Sequence, residues 1–336
     1  MSINSMDDIS IRIKENYKWI YTYDYAPDSV WDEWRSEVAD YAWIQEEAGA
    51  VTERLQEDLP CYILLSDSHY VINGTWDDTM KSMMALSERI TGSKKASIVG
   101  IIHLGDLTDG LLPLEKTRQF ESRCIQDMQS LNVPLYIVPG NHDYNYFRGN
   151  PEVKYPDRPQ YYVDFEDMHL RMLFIDSFDP REAVRYGFTE YCIHWLDAAL
   201  NMMPDDYKAI IFSHVTPLVR LQAWAKDIRN RQHLIEVLNK HAEKILTFIN
   251  GHNHCDHLFN DLNNGQFPII SINCAKCEYF LEHKPEGAVV PERRLGDRTQ
   301  ESFDIMQVDV KKRKIYFTRF GAGSDRYVEN HKAYWV

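Results

Sequence analysis

Short apolar runs, each closed by a small polar cluster, set the rhythm of this chain from about residue 60 onward. Tyr62 to Leu65, Ile98 to Leu104, Leu135 to Val138, Ala209 to Phe212 and Ile245 to Ile249 are such runs. Their length and β-branched content predict strands covered on both faces. Between them the period lengthens. Met80, Met83, Met84, Leu86 and Ile90 predict a helix over Asp77 to Ile90, and further helices are expected over Leu114 to Leu131 and Thr189 to Leu200. Arg171 to Ile175 reads as another strand. The C-terminal part turns β-rich, with Ile269 to Ile272, Phe303 to Val310 and Ile315 to Phe320, and a polar hairpin connection at Asp309 to Lys314. Alternating strands and helices predict an α/β domain.

Residues 1–58 have a different texture. They hold Trp19, Trp31, Trp34 and Trp43 beside Tyr17, Tyr21, Tyr23, Tyr25 and Tyr41. Pro27-Asp28-Ser29 marks a turn into an N-cap, and Trp31, Trp34, Val38, Tyr41 and Ala42 recur at helical spacing. Disordered tails are poor in aromatics. This stretch is therefore expected to be an ordered, partly helical extension packed on a main domain of residues 59–336, with a lid or a dimer contact as the alternative.

The clusters that close the five runs are Asp67-Ser68-His69, Gly105-Asp106-Leu107-Thr108-Asp109, Gly140-Asn141-His142-Asp143, Ser213-His214 and Gly251-His252-Asn253-His254. Open α/β sheets bind ligands beyond the carboxyl ends of their strands, so the pattern delivers His, Asp and Asn to one edge. Carboxylate, imidazole and amide oxygen suit divalent ions such as Mn²⁺, Fe²⁺ and Zn²⁺. Asp67 and His69, and again His252 and His254, stand two residues apart, which on extended backbone puts both side chains on one face. Alone, His69 or His214 would read as a hydrogen-bonded core histidine. Together, five histidines, four acids and Asn141 would be costly to bury without a shared cation. The surplus of ligands over one ion's needs points to two metals sharing a carboxylate.

Composition narrows the picture further. The formal net charge is −14, from 37 basic and 51 acidic residues, which repels polyanions and disfavours a nucleic-acid substrate. No apolar run is long enough for a membrane span, and the first residues lack a signal-peptide core, so a cytoplasmic protein is the default expectation. The six cysteines are scattered, and Cys274-x-x-Cys277 lacks the second pair of a zinc ribbon, so reduced structural thiols are expected.

In order and spacing, the motifs D-x-H, G-D-x-x-D, G-N-H-D, a lone His after a strand, and G-H-x-H resemble those of the calcineurin-like metallophosphoesterases. The resemblance spans about residues 60 to 326, including a Gly-rich ending at Thr318 to Arg326. It implies a four-layer sandwich of two mixed β-sheets flanked by helices. It further implies one metal held by Asp67, His69, Asp106 and His254, and a second held by Asp106, Asn141, His214 and His252. His142 would face the scissile phosphate as a catalytic group, with Asp143 and Asp109 orienting it and the loops. Two cations about 3.5–4 Å apart acidify a bridging water for attack on phosphorus and neutralise the developing charge.

Asp109 stands where purple acid phosphatases carry a tyrosine, which argues against a purple Fe³⁺ enzyme. Thr108-Asp109-Gly110 and Gly-Asn-His-Asp also depart from the protein phosphatase pattern and lean toward the bacterial, cyclic-nucleotide-phosphodiesterase-like branch. The expected activity is thus hydrolysis of a small phosphodiester. A phosphomonoesterase, a metal-dependent nuclease and a non-catalytic scaffold on the same fold are the alternatives. The nuclease predicts basic extensions and the scaffold predicts damaged motifs, whereas every motif here is intact. Tyr144, Tyr146, Phe147 and Arg148 follow the third motif and are candidates for contacting substrate. Arg220, Lys226, Arg229 and Arg231 read as a solvated charged face.

Overall fold

Strand β1, Pro60–Leu65, shows why the apolar runs carry no alternation of polar residues. Cys61, Ile63 and Leu65 point to one hydrophobic cluster, while Tyr62 and Leu64 point to another on the opposite face. A strand buried on both faces needs apolar residues at every position. The same split recurs in β6 (Lys208–Ser213), where Ala209 and Ile211 face one way and Ile210 and Phe212 the other. Each such fully buried Leu, Ile or Phe contributes about 1.5–3 kcal/mol.

The computed structural model describes residues 41–70, 74–110, 114–145, 160–224, 226–260 and 267–336. In chain order the elements are α1 (Ala42–Arg54), β1, α2 (Trp76–Ser93), β2 (Ser97–His103), α3 (Leu114–Gln129), β3 (Leu135–Ile137), β4 (Tyr161–Phe165) and β5 (Leu170–Ile175). Then come α4 (Glu190–Asn201), β6, α5 (Arg231–Lys240), β7 (Ile245–Asn250), β8 (His257–Phe259) and β9 (Ile269–Ser271). The chain closes with β10 (Ser302–Asp309), β11 (Lys314–Gly321), β12 (Arg326–Glu329) and β13 (Lys332–Trp335). Every strand expected from the sequence is present, its ends within two residues of the pattern. Helix α4 is capped by Thr189, the first residue of the expected span, whose Oγ1 accepts from Cys192 N at 3.0 Å.

Two mixed sheets result. One runs β13-β12-β11-β10-β1-β2-β3, with β1, β2 and β3 parallel, and the other runs β4-β5-β6-β7-β9-β8, with β5, β6, β7 and β9 parallel. They pack face to face through Tyr62, Leu64, Ile102, Met172, Phe174 and Phe212, with Phe174 and Phe212 stacked at 5.0 Å. Helices α1, α2 and α3 cover the outer face of the first sheet, and α4 and α5 that of the second. This is the helix–sheet–sheet–helix arrangement that the resemblance implies.

Within residues 1–58, α1 packs Ile44, Ala48 and Val51 into the same cluster as α2 and the first sheet. The helix expected from Trp31 onward lies almost wholly outside the described residues. All six cysteines are buried and unbridged.

Near the C-terminus a buried ionic network ties the tail to the site. Arg319 Nη2 lies 2.6 Å from Asp256 Oδ1, and Arg326 Nη2 lies 2.5 Å from Asp304 Oδ2. Asp256 follows His254 by two residues, so the last strands hold the loop that carries two site histidines.

Candidate metal centre

The parallel strands end at one edge, and the polar clusters meet there across the two sheets. Asp67, Asp106 and Asn141 follow β1, β2 and β3 of the first sheet, whereas His214, His252 and His254 follow β6 and β7 of the second. All six, with His69, are buried. Two glycines permit the approach. A Cβ at Gly140 would collide with the Asp106 carboxylate and backbone, and one at Gly251 with Ser66 and Asp67. Five of the polar residues take left-handed backbone themselves: Asp67 (φ 54°), His69 (45°), Asp106 (56°), His252 (65°) and His254 (48°). Non-glycine residues held there cost about 1–3 kcal/mol each, a strain found at functional sites.

Each carboxylate uses one oxygen for the scaffold and turns the other to the site. Asp67 Oδ2 accepts from Ser66 Oγ at 2.5 Å and from His252 N at 2.9 Å, leaving Oδ1 3.2 Å from His254 Nε2. Asp106 Oδ1 accepts from His142 N at 2.8 Å. Its Oδ2 lies 3.3 Å from His214 Nε2, 3.8 Å from His69 Nε2 and 3.9 Å from His142 Nε2. That single atom faces both halves of the cluster.

The imidazoles are oriented from behind. His69 Nδ1 stands 3.2 Å from Asp109 Oδ1, His254 Nδ1 2.5 Å from Glu278 Oε1, and His214 Nδ1 2.7 Å from the Leu104 carbonyl. In each case the acceptor claims the Nδ1 proton, so the inward Nε2 carries a lone pair. Yet His69 Nε2 and His254 Nε2 stand 3.3 Å apart, and His214 Nε2 is 3.0 Å from Asn141 Oδ1 and 3.2 Å from His252 Nδ1. Ring nitrogens and oxygens that close need a proton or a cation between them. Asp67, His69 and His254 converge on one point and Asp106, His214 and His252 on another. Mixed N and O donors in two such sets fit a pair of divalent cations.

The electrostatics agree. Burial would push both carboxyls up, but the facing imidazoles, His254 beside Asp67 and His214 beside Asp106, outweigh it and hold them below the usual carboxylate range. Burial pushes His69 down to about 3, so that ring is neutral, as a ligand must be. Burial also lowers His214, but Asp106 more than reverses this and raises it to about 9.

His142 is the most accessible of these side chains, at 9%. Its Nδ1 donates to the Asp109 carbonyl at 2.5 Å, and its ring lies 4.9 Å from that of His69, so it borders both clusters. Asp143 is fully buried behind the loops. Its carboxylate accepts from the backbone N–H groups of Asp106, Leu107 and Gly140, each at 2.8 Å, and so joins the second cluster to the third. It touches the scaffold and not the open side. Tyr144 donates its hydroxyl to the Asp176 carboxylate and packs on Phe178 at 5.6 Å, so its polar end is committed within the protein. Tyr146, Phe147 and Arg148 lie outside the described residues. Of the basic group read as a solvated face, Arg231 pairs with Asp227 at 2.6 Å on the surface.

The sequence reading missed Glu278 and Lys276. Glu278 holds His254 with one oxygen and the buried Lys276 Nζ, 2.7 Å away, with the other. The available signal was positional, because both residues follow β9, which ends at the same edge as the motif strands. Carboxylates that brace a ligating imidazole are worth about 10–100-fold in metal affinity. Glu278→Ala is therefore expected to weaken binding of one ion by that factor, and Glu278→Gln, which keeps an acceptor, by less. Competition with a chelator would measure both, and unchanged affinity in Glu278→Ala would show that His254 does not depend on this contact.

Comparison with known proteins gives the site its context. The chain is similar to a probable glycerophosphodiester phosphodiesterase GpdQ of Arcobacter nitrofigilis, 28% identical over 169 residues that cover 46% of this chain and 56% of the relative. It is also 30% identical over 137 residues to the glycerophosphodiester phosphodiesterase GpdQ of Enterobacter lignolyticus, covering 38% of this chain and 48% of that protein. The matches thus span about half the length of each relative. In fold, it matches a dimetal phosphatase from Danio rerio with a TM-score of 0.59 and 15% identity, over 81% of this chain and 99% of the other. A purple acid phosphatase from yellow lupin (Lupinus luteus) seeds matches with a TM-score of 0.50 and 12% identity, over 83% and 53%. At such identities these likenesses speak for the fold alone. No described helix is long and apolar enough to cross a membrane. The family model for calcineurin-like phosphoesterases matches residues 62–264, more than half of the sequence, and the chain belongs to that family.

Proposed function

We propose that this protein hydrolyses small phosphodiesters at a centre of two divalent metals. The observation that carries the reading is the pair of ligand sets meeting at Asp106 Oδ2. Asp67, His69, Asp106 and His254 would hold one ion, and Asp106, Asn141, His214 and His252 the other. When bound, such a pair supplies Lewis-acid neutralisation of phosphoryl charge and an acidified water. The chain's own groups do the rest. The His142 backbone N–H fixes Asp106 so that its other oxygen points inward. The Asp109 carbonyl orients the His142 ring, whose Nε2, when protonated, can donate to a phosphoryl or leaving oxygen. Asp143 keeps the loops that carry these groups in register.

The leaning toward diesters is supported by the names of the two GpdQ relatives and by the departures from the protein phosphatase motifs. Metal-free protein reconstituted with Mn²⁺ should hydrolyse bis(p-nitrophenyl) phosphate with higher kcat/KM than p-nitrophenyl phosphate. Linear and cyclic nucleotides belong in the same panel, because aryl esters report mainly on the metal centre. A clear preference for monoesters across it would overturn the diester reading and leave the metallophosphoesterase standing.

A further inference from the structure

Trp224 lies against two histidines of the candidate metal centre and is held there by the hairpin that carries them. Asn253, between His252 and His254, is fully buried. Its Oδ1 accepts from Ala223 N at 3.0 Å and its Nδ2 donates to the Leu221 carbonyl at 2.6 Å. The Trp224 ring consequently stands 5.3 Å from both His252 and His254, nearly perpendicular to each. The Tyr186 ring meets His252 at 5.1 Å from another direction. Trp224 nevertheless remains 40% exposed. An indole anchored against two metal-ligating histidines and still open to solvent is placed to touch whatever those histidines position.

Its surroundings narrow the chemistry. Lys284 Nζ donates to the Asn253 carbonyl at 2.8 Å and lies 4.8 Å from the Trp224 ring centroid. A protein cation thus already stands by this ring, and a positively charged substituent beside it would meet like charge. A neutral flat group gains stacking area without that penalty.

We infer that Trp224 is a specificity residue that receives the ester's organic substituent, and that the site favours phosphoesters carrying a neutral, flat, unsaturated group there. This rests on the phosphoesterase reading above.

Binding of phenylphosphonate and methylphosphonate to the Mn²⁺-loaded protein, measured by calorimetry, tests it without turnover. Wild type should bind the phenyl compound about 3- to 10-fold more tightly, the range for one aromatic contact. Trp224→Ala should erase that preference while its metal content and its affinity for methylphosphonate stay within about twofold, and Trp224→Phe should keep most of it. Equal binding of the two compounds by wild type would overturn the assignment, as would an equal loss for both in Trp224→Ala, which would make the indole a prop for the histidines. Absence of binding by either compound would bring down the phosphoesterase reading as well.

Discussion

Asp106→Asn should lower kcat/KM by at least about 10³, because metal ions in such pairs supply several kcal/mol of transition-state stabilisation and each 1.4 kcal/mol is tenfold in rate. The reason lies in one atom. Asp106 Oδ2 is the only carboxylate oxygen within 4 Å of both His69 Nε2 and His214 Nε2 among the described ion pairs. Asparagine keeps the shape and can still accept from His142 N, so the loop should hold. What it removes is the negative charge that both proposed ligand sets would share. Elemental analysis should find two divalent ions per chain in wild type and fewer in the variant. A single tightly bound ion in fully active wild type would end the two-metal assignment.

His142→Ala should separate binding from catalysis. Turnover is expected to fall by roughly 10²–10⁴, the span of general acid–base contributions. Metal content should hardly change, because the contact that braces Asp106 is the backbone N–H of residue 142, which alanine retains. The result is not trivial, since His69, Asp106 and His142 come close enough together to hold an ion among themselves. Loss of metal on this substitution would make His142 a ligand and shift the catalytic role elsewhere.

The centre of the fold was legible because burial on both faces forces an unbroken apolar run. β1, β2, β6 and β7 announce themselves that way, and their polar endings mark the edge where the ligands gather. The periphery was not. β4 alternates between half-buried and exposed positions, and β13 has one buried residue in four, so neither stands out from loop sequence. Periodicity also says nothing of where a loop returns. Glu278 reaches His254 across 24 residues, and Trp224 reaches the histidines only because Asn253 grips the backbone before it. Tyr144 carries a different lesson. Its place beside the third motif suggested substrate contact, and its half-buried hydroxyl takes a strong acceptor within the protein, Asp176.

The division of the ligands between the two sheets has a thermodynamic consequence. Asp67, Asp106 and Asn141 hang from one layer, and His214, His252 and His254 from the other, with the His252 N–H to Asp67 bond already crossing between them. Neither layer alone presents a complete set of donors. An ion bound here would therefore fasten the layers together, and its affinity would count as stability of the docked state. At a free-ion concentration a hundred times the Kd, that linkage amounts to about 2.7 kcal/mol per site. The ions that would serve the reaction would also act as rivets of the sandwich, so chelation would loosen the whole architecture and not merely silence one edge of it.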